Sequence, residues 1–303
     1  MVNLPPSLGP ANPLSTNRSP RMRPIPSSLA SRAFSPPPFY CHPKRFGAIW
    51  SARSACSAVA LWFFGHCGWL EEAVALHWFP HVYRTGVMNK DAVYRGWRRA
   101  CLVDETPFVR VVRDPCKRAV SSFHSAIWNP RVCRADISQF LGREVTDADG
   151  FSFEEFLDFL ESIDISSCEI HIRQQFNELE RRVRPTLVVN ADDGGLQEGL
   201  NAFEDMIGLP PSDFRSPPLA DAMREARRKH MTPRFDPGRD YGGEQLGKGG
   251  VNGLWPSDQS LLTAATRRRV ENIYVRDFDA YQPRQGAKTD ASALDQRDRI
   301  GPS

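Results

Sequence analysis

The stretch FVRVVRDPCKRAVSSF, residues 108–123, runs from a strand pattern into a helix pattern with almost nothing between, and its reading decides the fold. Phe108, Val109, Val111 and Val112 are aromatic or β-branched, stiff side chains that suit a pleated, buried surface. They predict a strand over 108–112. Pro115 fits the first position of a helix, where its missing N–H would have had no partner, and the apolar spacing predicts a helix over 117–127. Arg113 is left at the strand's end with a planar fork of donors suited to phosphate, and Ser121 offers a hydroxyl from the helix that follows.

The same order occurs upstream. FGAIW (46–50) predicts a short buried strand, SARSACS (51–57) a turn of small residues, and 58–70 a helix. A strand, a loop and a helix N-terminus are the parts with which α/β proteins hold a phosphate on backbone N–H groups. The candidate cradle is Arg53, Ser54, Ala55, Cys56, Ser57 and Ala58, sixty residues before Arg113. A second register for this element uses Pro43 and Lys44, which precede the strand. Downstream, TLVV (186–189) predicts a third strand, and 197–207 a helix stopped by Gly208 and two prolines. Over 151–161 the apolar spacing is helical, with Ser152 and Glu155 forming a capping box. Seven glycines between Gly238 and Gly253 mark a long loop, and Ser257 opens a helix expected to run to about Tyr274. These elements predict an α/β chain with three α/β/α layers around a central parallel sheet of about four or five strands.

The residues 113–123 resemble the 3′-phosphate-binding motif of the sulfotransferases that use 3′-phosphoadenosine 5′-phosphosulfate (PAPS), R-D-P-x-x-R-x-x-S-x-F/Y. Arg113, Asp114, Pro115, Arg118, Ser121 and Phe123 meet its fixed positions. The loop 52–58 is similar to that family's P-K-x-G-x-S/T-S/T, with Ser57 at a hydroxyl position. It departs from the pattern at Ala52, Arg53, Ala55 and Ala58. Glu169 to Gln175 resembles the H-x-x-P-Q stretch of carbohydrate sulfotransferases, with Gln174 in place of proline. Leu187 to Leu209 and IYVRDFDAY (273–281) resemble later parts of the same domain.

The resemblance implies a P-loop NTPase-like sulfotransferase fold over 39–285 and transfer of a sulfuryl group from PAPS to a hydroxyl, with a carbohydrate as the acceptor class. Arg53 and Ser57 would hold the phosphosulfate, and Arg113 and Ser121 the 3′-phosphate. Such a transfer needs positive charge on the leaving phosphate, in-line geometry and a base beside the acceptor, and it needs no metal. His81 is the first candidate for the base, with His171 and Glu169 in reserve. Two other readings stay open: a nucleotide-binding relative without catalysis, and a P-loop phosphotransferase. The second lacks a G-x-x-x-x-G-K-S/T run and a magnesium-ligand pattern.

Charge and cysteine usage fit around this core. The 303 residues carry a net charge of +3, too little to make nucleic acid an expected partner. Residues 1–70 contain no Asp or Glu and seven Lys or Arg, so the rest of the chain sums to −4. The first forty residues hold ten prolines and seven serines, and residues 1–38 are expected to form a disordered leader. A transit peptide is the functional alternative, opposed by prolines that break an amphipathic helix. Residues 286–303 are expected to form a mobile tail. Seven cysteines, spread singly, match neither a zinc site nor a complete disulfide framework and point to a reducing, cytoplasmic setting. No run is long and apolar enough for a membrane span. His42, His66, His77, His124 and His230 show no zinc spacing.

Overall fold

The computed structural model describes residues 36–281 apart from 101–105, 182, 193, 231–233 and 236–237. The expected leader over 1–35 and tail over 286–303 lie outside the described residues. Residues 36–38, expected to belong to the leader, are packed onto the domain. The Pro37 carbonyl accepts from Trp50 Nε1 at 3.0 Å and the Pro36 carbonyl from Asn177 Nδ2 at 3.2 Å.

The chain is mixed α/β. β1 (Phe39–Cys41) and β2 (Phe46–Ile49) lead into α1 (Cys56–Cys67) and three short helices, α2 (Leu70–Leu76), α3 (Pro80–Gly86) and α4 (Ala92–Ala100). Next come β3 (Phe108–Val112), α5 (Pro115–Trp128), α6 (Arg134–Leu141) and α7 (Phe153–Glu161), then β4 (Leu187–Asn190), α8 (Gly195–Ile207) and α9 (Leu219–His230). A two-residue pairing of β5 (Arg234–Phe235) with β6 (Trp255–Pro256) precedes α10 (Asp258–Leu261), α11 (Ala264–Ile273) and α12 (Val275–Tyr281). No helix among the described residues is long and apolar enough to cross a membrane.

One sheet has the order β1-β2-β3-β4. β2, β3 and β4 are parallel, with Ile49 beside Arg110 and Val112 beside Asn190. The expected parallel sheet is corrected at its edge, where β1 runs antiparallel to β2 with Tyr40 opposite Gly47. The reason is chain length. Only residues 42–45 join β1 to β2, enough for a hairpin, whereas a parallel pair needs a crossover of a dozen residues or more. Arg45 takes a left-handed backbone, φ 51°, to close that turn.

The pleat sends alternate residues to opposite faces. Phe39, Phe46, Ala48, Trp50, Val109, Val111 and Val189 pack with the inner sides of α1, α8 and α9. Tyr40, Ile49 and Phe108 pack with Leu179 in a smaller cluster on the other side. Gly47 is required in β2, because a Cβ there would lie 2.2 Å from the Phe108 ring. A separate cluster joins α5 to α7 and α11 through Phe123, Phe156, Trp255 and Val270.

Local signals explain most element boundaries. The Ser152–Glu155 capping box forms as expected and starts α7. Gly208 ends α8 in a left-handed conformation. The single helix expected from Ser257 to Tyr274 is instead broken. Ser257 caps α10, then Thr263 turns its hydroxyl to the Thr266 N–H and starts α11 afresh. α1 begins at Cys56, two residues before its expected start.

α1 is tied to α8 by a buried carboxylate. Glu204 accepts from Trp62 Nε1 at 2.6 Å and from the Ser212 N–H at 2.8 Å, and it pairs with His66 Nε2 at 2.8 Å. Burial pushes the Glu204 carboxyl up, but the bonds from His66, Ser212 and Trp62 outweigh it and leave the group below its ordinary value of 4.5. A carboxylate held low contributes stability above that value and loses it as pH falls through the folded value. Glu204→Ala should therefore cost about 2–4 kcal/mol at pH 7 in urea unfolding, by stranding buried donors. Glu204→Gln should also flatten the wild-type loss of stability below pH 4.5, and an unchanged acid limb would contradict this account.

Candidate nucleotide site

Both expected phosphate elements follow neighbouring parallel strands, so the sheet delivers them to one edge. β2 ends at Ile49 beside Arg110, and β3 runs on to Val112. After β2 the turn is tightened by a bond from the Ser54 N–H to the Ser51 carbonyl at 3.3 Å. Arg53 (φ 68°) and Ala55 (φ 55°) both take left-handed backbones. Ala55 is the N-cap of α1, gives no side-chain cap, and no acidic residue stands in the first turn. The N–H groups that open α1, at Cys56, Ser57 and Ala58, therefore keep the positive end of a 12-residue helix free of a capping side chain.

α5 opens differently. Asp114 caps it by accepting from the Lys117 N–H at 2.8 Å, and Pro115 takes the first position. Asp192, in the loop after β4, accepts from the Asp114 N–H at 2.6 Å and from Arg113 Nε at 3.2 Å. The positive charge that this strand end presents is thus the Arg113 side chain, which is 26% exposed and paired with Asp192, and not the helix terminus.

The two elements touch. Arg53 donates from Nε and Nη2 to Ser121 Oγ at 2.9 and 2.7 Å, and Arg113 Nη1 lies 3.5 Å from the Arg53 carbonyl. Arg53, Arg113 and Ser121 therefore form one group. Ser54 is placed otherwise. Its side chain is buried and donates to Gln175 Oε1 at 2.6 Å, which leaves only its backbone for the cradle.

The motif residues divide by task. Arg118 is buried and holds the loop from beneath, donating from Nε to the Ala52 carbonyl at 3.1 Å and from Nη2 to the Arg173 carbonyl. Ser122 donates to the His171 carbonyl at 2.6 Å, and Phe123 packs against Phe151, Phe153 and Phe156. Gln175, quoted from the sequence but given no role there, joins both loops. Its Oε1 also accepts from the Arg113 N–H at 2.9 Å, and its Nε2 donates to the Arg113 carbonyl at 2.8 Å. Asp192 likewise lies in the resembling segment Leu187 to Leu209, where it carries no assigned role. The signal for both was their position in the resembling segments.

Of the three candidate bases, His81 is bonded to the loop. It stands on α3, its Nε2 is 3.3 Å from Cys56 Sγ, and its ring stacks on Trp50 at 5.6 Å between centroids. Arg84, one turn on, lies over the same ring, with its guanidinium 4.5 Å from the Trp50 centroid. His171 and Glu169 bond each other, Nδ1 to Oε1 at 2.7 Å. The rival Lys44 lies in the β1–β2 turn, before β2, and so not at the strand end that carries the loop.

A left-handed backbone costs an L-residue about 1–2 kcal/mol that glycine does not incur, against about 0.5–1 kcal/mol of extra chain entropy for glycine. Ala55→Gly should leave the protein about 0.5 kcal/mol more stable in urea unfolding, and clear destabilisation would show that φ at 55 is not positive. Comparison with known proteins finds no matching family model, no matching curated protein and no matching solved structure.

Proposed function

We propose that this chain is a PAPS-dependent sulfotransferase with a P-loop NTPase-like, three-layer sulfotransferase fold, and that it acts on a hydroxyl, of a carbohydrate as the acceptor class. The observation that carries the reading is the adjacency of the 51–58 loop to Arg113 and Ser121 at the ends of two paired parallel strands. One ligand with two separated phosphates can touch both. The donor groups suit it: uncapped N–H groups on α1, a hydroxyl at Ser57, and two guanidinium groups that fork onto phosphate oxygens.

When bound, PAPS supplies the activated sulfuryl group. Arg53 and Ser57 would orient the phosphosulfate and neutralise its charge, Arg113 and Ser121 would fix the 3′-phosphate, and His81 would take the acceptor's proton. Arg53 replaces a compact ammonium with a planar fork, and its two bonds to Ser121 link the two phosphate positions. The single spacing of the cysteines goes with a reducing, cytoplasmic setting.

A second reading, nucleotide binding without catalysis, is favoured by the state of His81. The residue is 9% exposed and its Nε2 is engaged with Cys56.

Calorimetry with adenosine 3′,5′-bisphosphate tests the site. Arg113→Ala should weaken binding roughly 10- to 100-fold, the worth of a charged hydrogen bond of about 1.5–3 kcal/mol, and should barely change AMP binding. Equal wild-type affinity for AMP and the bisphosphate would remove the 3′-phosphate from the site. Labelled-sulfate transfer from PAPS to a panel of glycans tests the chemistry. His81→Ala should slow it roughly 100-fold with bisphosphate affinity intact, and binding without any transfer would favour the second reading.

A further inference from the structure

The arginines around the candidate site are answered by the fold, with one exception. Arg53 is bonded to Ser121, Arg113 pairs with Asp192, Arg110 pairs with Glu180, and Arg118 donates to the Ala52 and Arg173 carbonyls. Arg84 stands apart. Its Nε is buried without a hydrogen-bond partner, and no carboxylate among the described residues pairs with its guanidinium. Burial pushes that guanidinium below its ordinary value, opposed only by Cys56 and Tyr94. A desolvated cation without a counter-charge costs stability, and an anionic ligand would offset that cost.

Its position says which ligand. α3 carries Arg84 three residues beyond His81, a spacing that puts two side chains on one helix face with Cβ atoms about 5–6 Å apart. Both lie over one ring. The His81 imidazole stacks on Trp50 at 5.6 Å, and the Arg84 guanidinium is 4.5 Å from the Trp50 centroid. His81 is bonded in turn to Cys56, the first residue of α1, at 3.3 Å. A hydroxyl that meets His81 is therefore about one sugar ring from Arg84, which is half-buried and keeps partial access to solvent. The nucleotide's phosphates have their own partners in Arg53, Ser57, the α1 N–H groups, Arg113 and Ser121, so the charge at Arg84 is left for the acceptor. A planar fork of N–H donors matches the two oxygens of a carboxylate, and burial strengthens such a pair.

We propose, on the sulfotransferase reading above, that Arg84 selects the acceptor: it binds the carboxylate of an acidic sugar, a uronate, while a hydroxyl of that sugar faces His81. The acceptor class narrows from carbohydrates to acidic carbohydrates.

The test compares, on the full chain, a uronate-containing oligosaccharide with the same oligosaccharide after its carboxylates are reduced to alcohols. In labelled-sulfate transfer from PAPS the acidic form should be preferred about 10- to 100-fold, with the difference lying in KM. Arg84→Met keeps the length and the contact with Trp50 but not the charge. It should remove most of that preference and leave affinity for adenosine 3′,5′-bisphosphate intact, whereas Arg84→Lys should keep part of the preference. Loss of an unpaired buried charge strands no partner, so Arg84→Met should melt no lower than wild type, and Arg84→Gln serves as a second neutral variant with the same readings. If no acceptor is sulfated, the sulfotransferase reading fails, and calorimetry with the same two oligosaccharides still decides for Arg84. The acidic form should bind wild type about 10- to 100-fold more tightly than the reduced form, and the neutral variants should bind both alike. The role of Arg84 is overturned if wild type uses and binds both forms alike, or if the preference survives in the neutral variants. It is overturned equally if those variants lose bisphosphate affinity, which would assign Arg84 to the nucleotide.

Discussion

Gln175 uses every polar group it has, and the candidate site rests on that. Its side-chain oxygen takes bonds from Ser54 and from the backbone N–H of Arg113, and its amide nitrogen returns one to the Arg113 carbonyl. Its own backbone N–H is bound by Asp277 at 2.7 Å and its carbonyl by the buried Arg110. One residue thus fixes the turn after β2 against the turn after β3, and the sheet is in turn pinned to α12 through Asp277. A buried amide with all its partners present imposes a single geometry, because any slip would strand donors or acceptors out of reach of water. Arg110 adds to the constraint. Fully buried beneath the sheet, it pairs with Glu180 at 3.0 Å and shares Tyr281 with it.

On that frame the two strand ends are built with opposite electrostatics. α1 presents bare N–H groups and no acid, so the helix terminus itself is the positive element. α5 has its terminus neutralised by Asp114 and Asp192, and the charge is moved outward onto a guanidinium held in orientation by Asp192. An anion close to the backbone is favoured at the first end, and one that meets a planar fork at the second. Under the proposed function, the two phosphates of one nucleotide would meet these two different ends.

Much of this was legible in the chain and some was not, for identifiable reasons. FVRVV was readable as a strand because β-branched residues have few alternatives, and Ser152 because its box is a local bond. Arg113 and Ser121 were readable from spacing, since strand, turn and helix fix their separation. β1 was missed because three residues carry no period, and its antiparallel sense follows from a short turn and not from its own sequence. The Thr263 cap went unread because the expected helix ran straight through it. Gln175, Asp192 and Arg110 act across 60 to 170 residues of chain, so their partners are fixed only by folding. Arg118 stood only as a fixed position of the resembling motif, and its bonds to the Ala52 and Arg173 carbonyls arise only on folding.

The bond from Trp50 to the Pro37 carbonyl settles where the chain enters the domain. Trp50 is also the floor under His81 and Arg84, so the polypeptide arrives at the rim of the ligand cradle and not on the far side of the sheet. A label attached at Pro37 would therefore stand beside His81 and Arg84 and crowd that doorway.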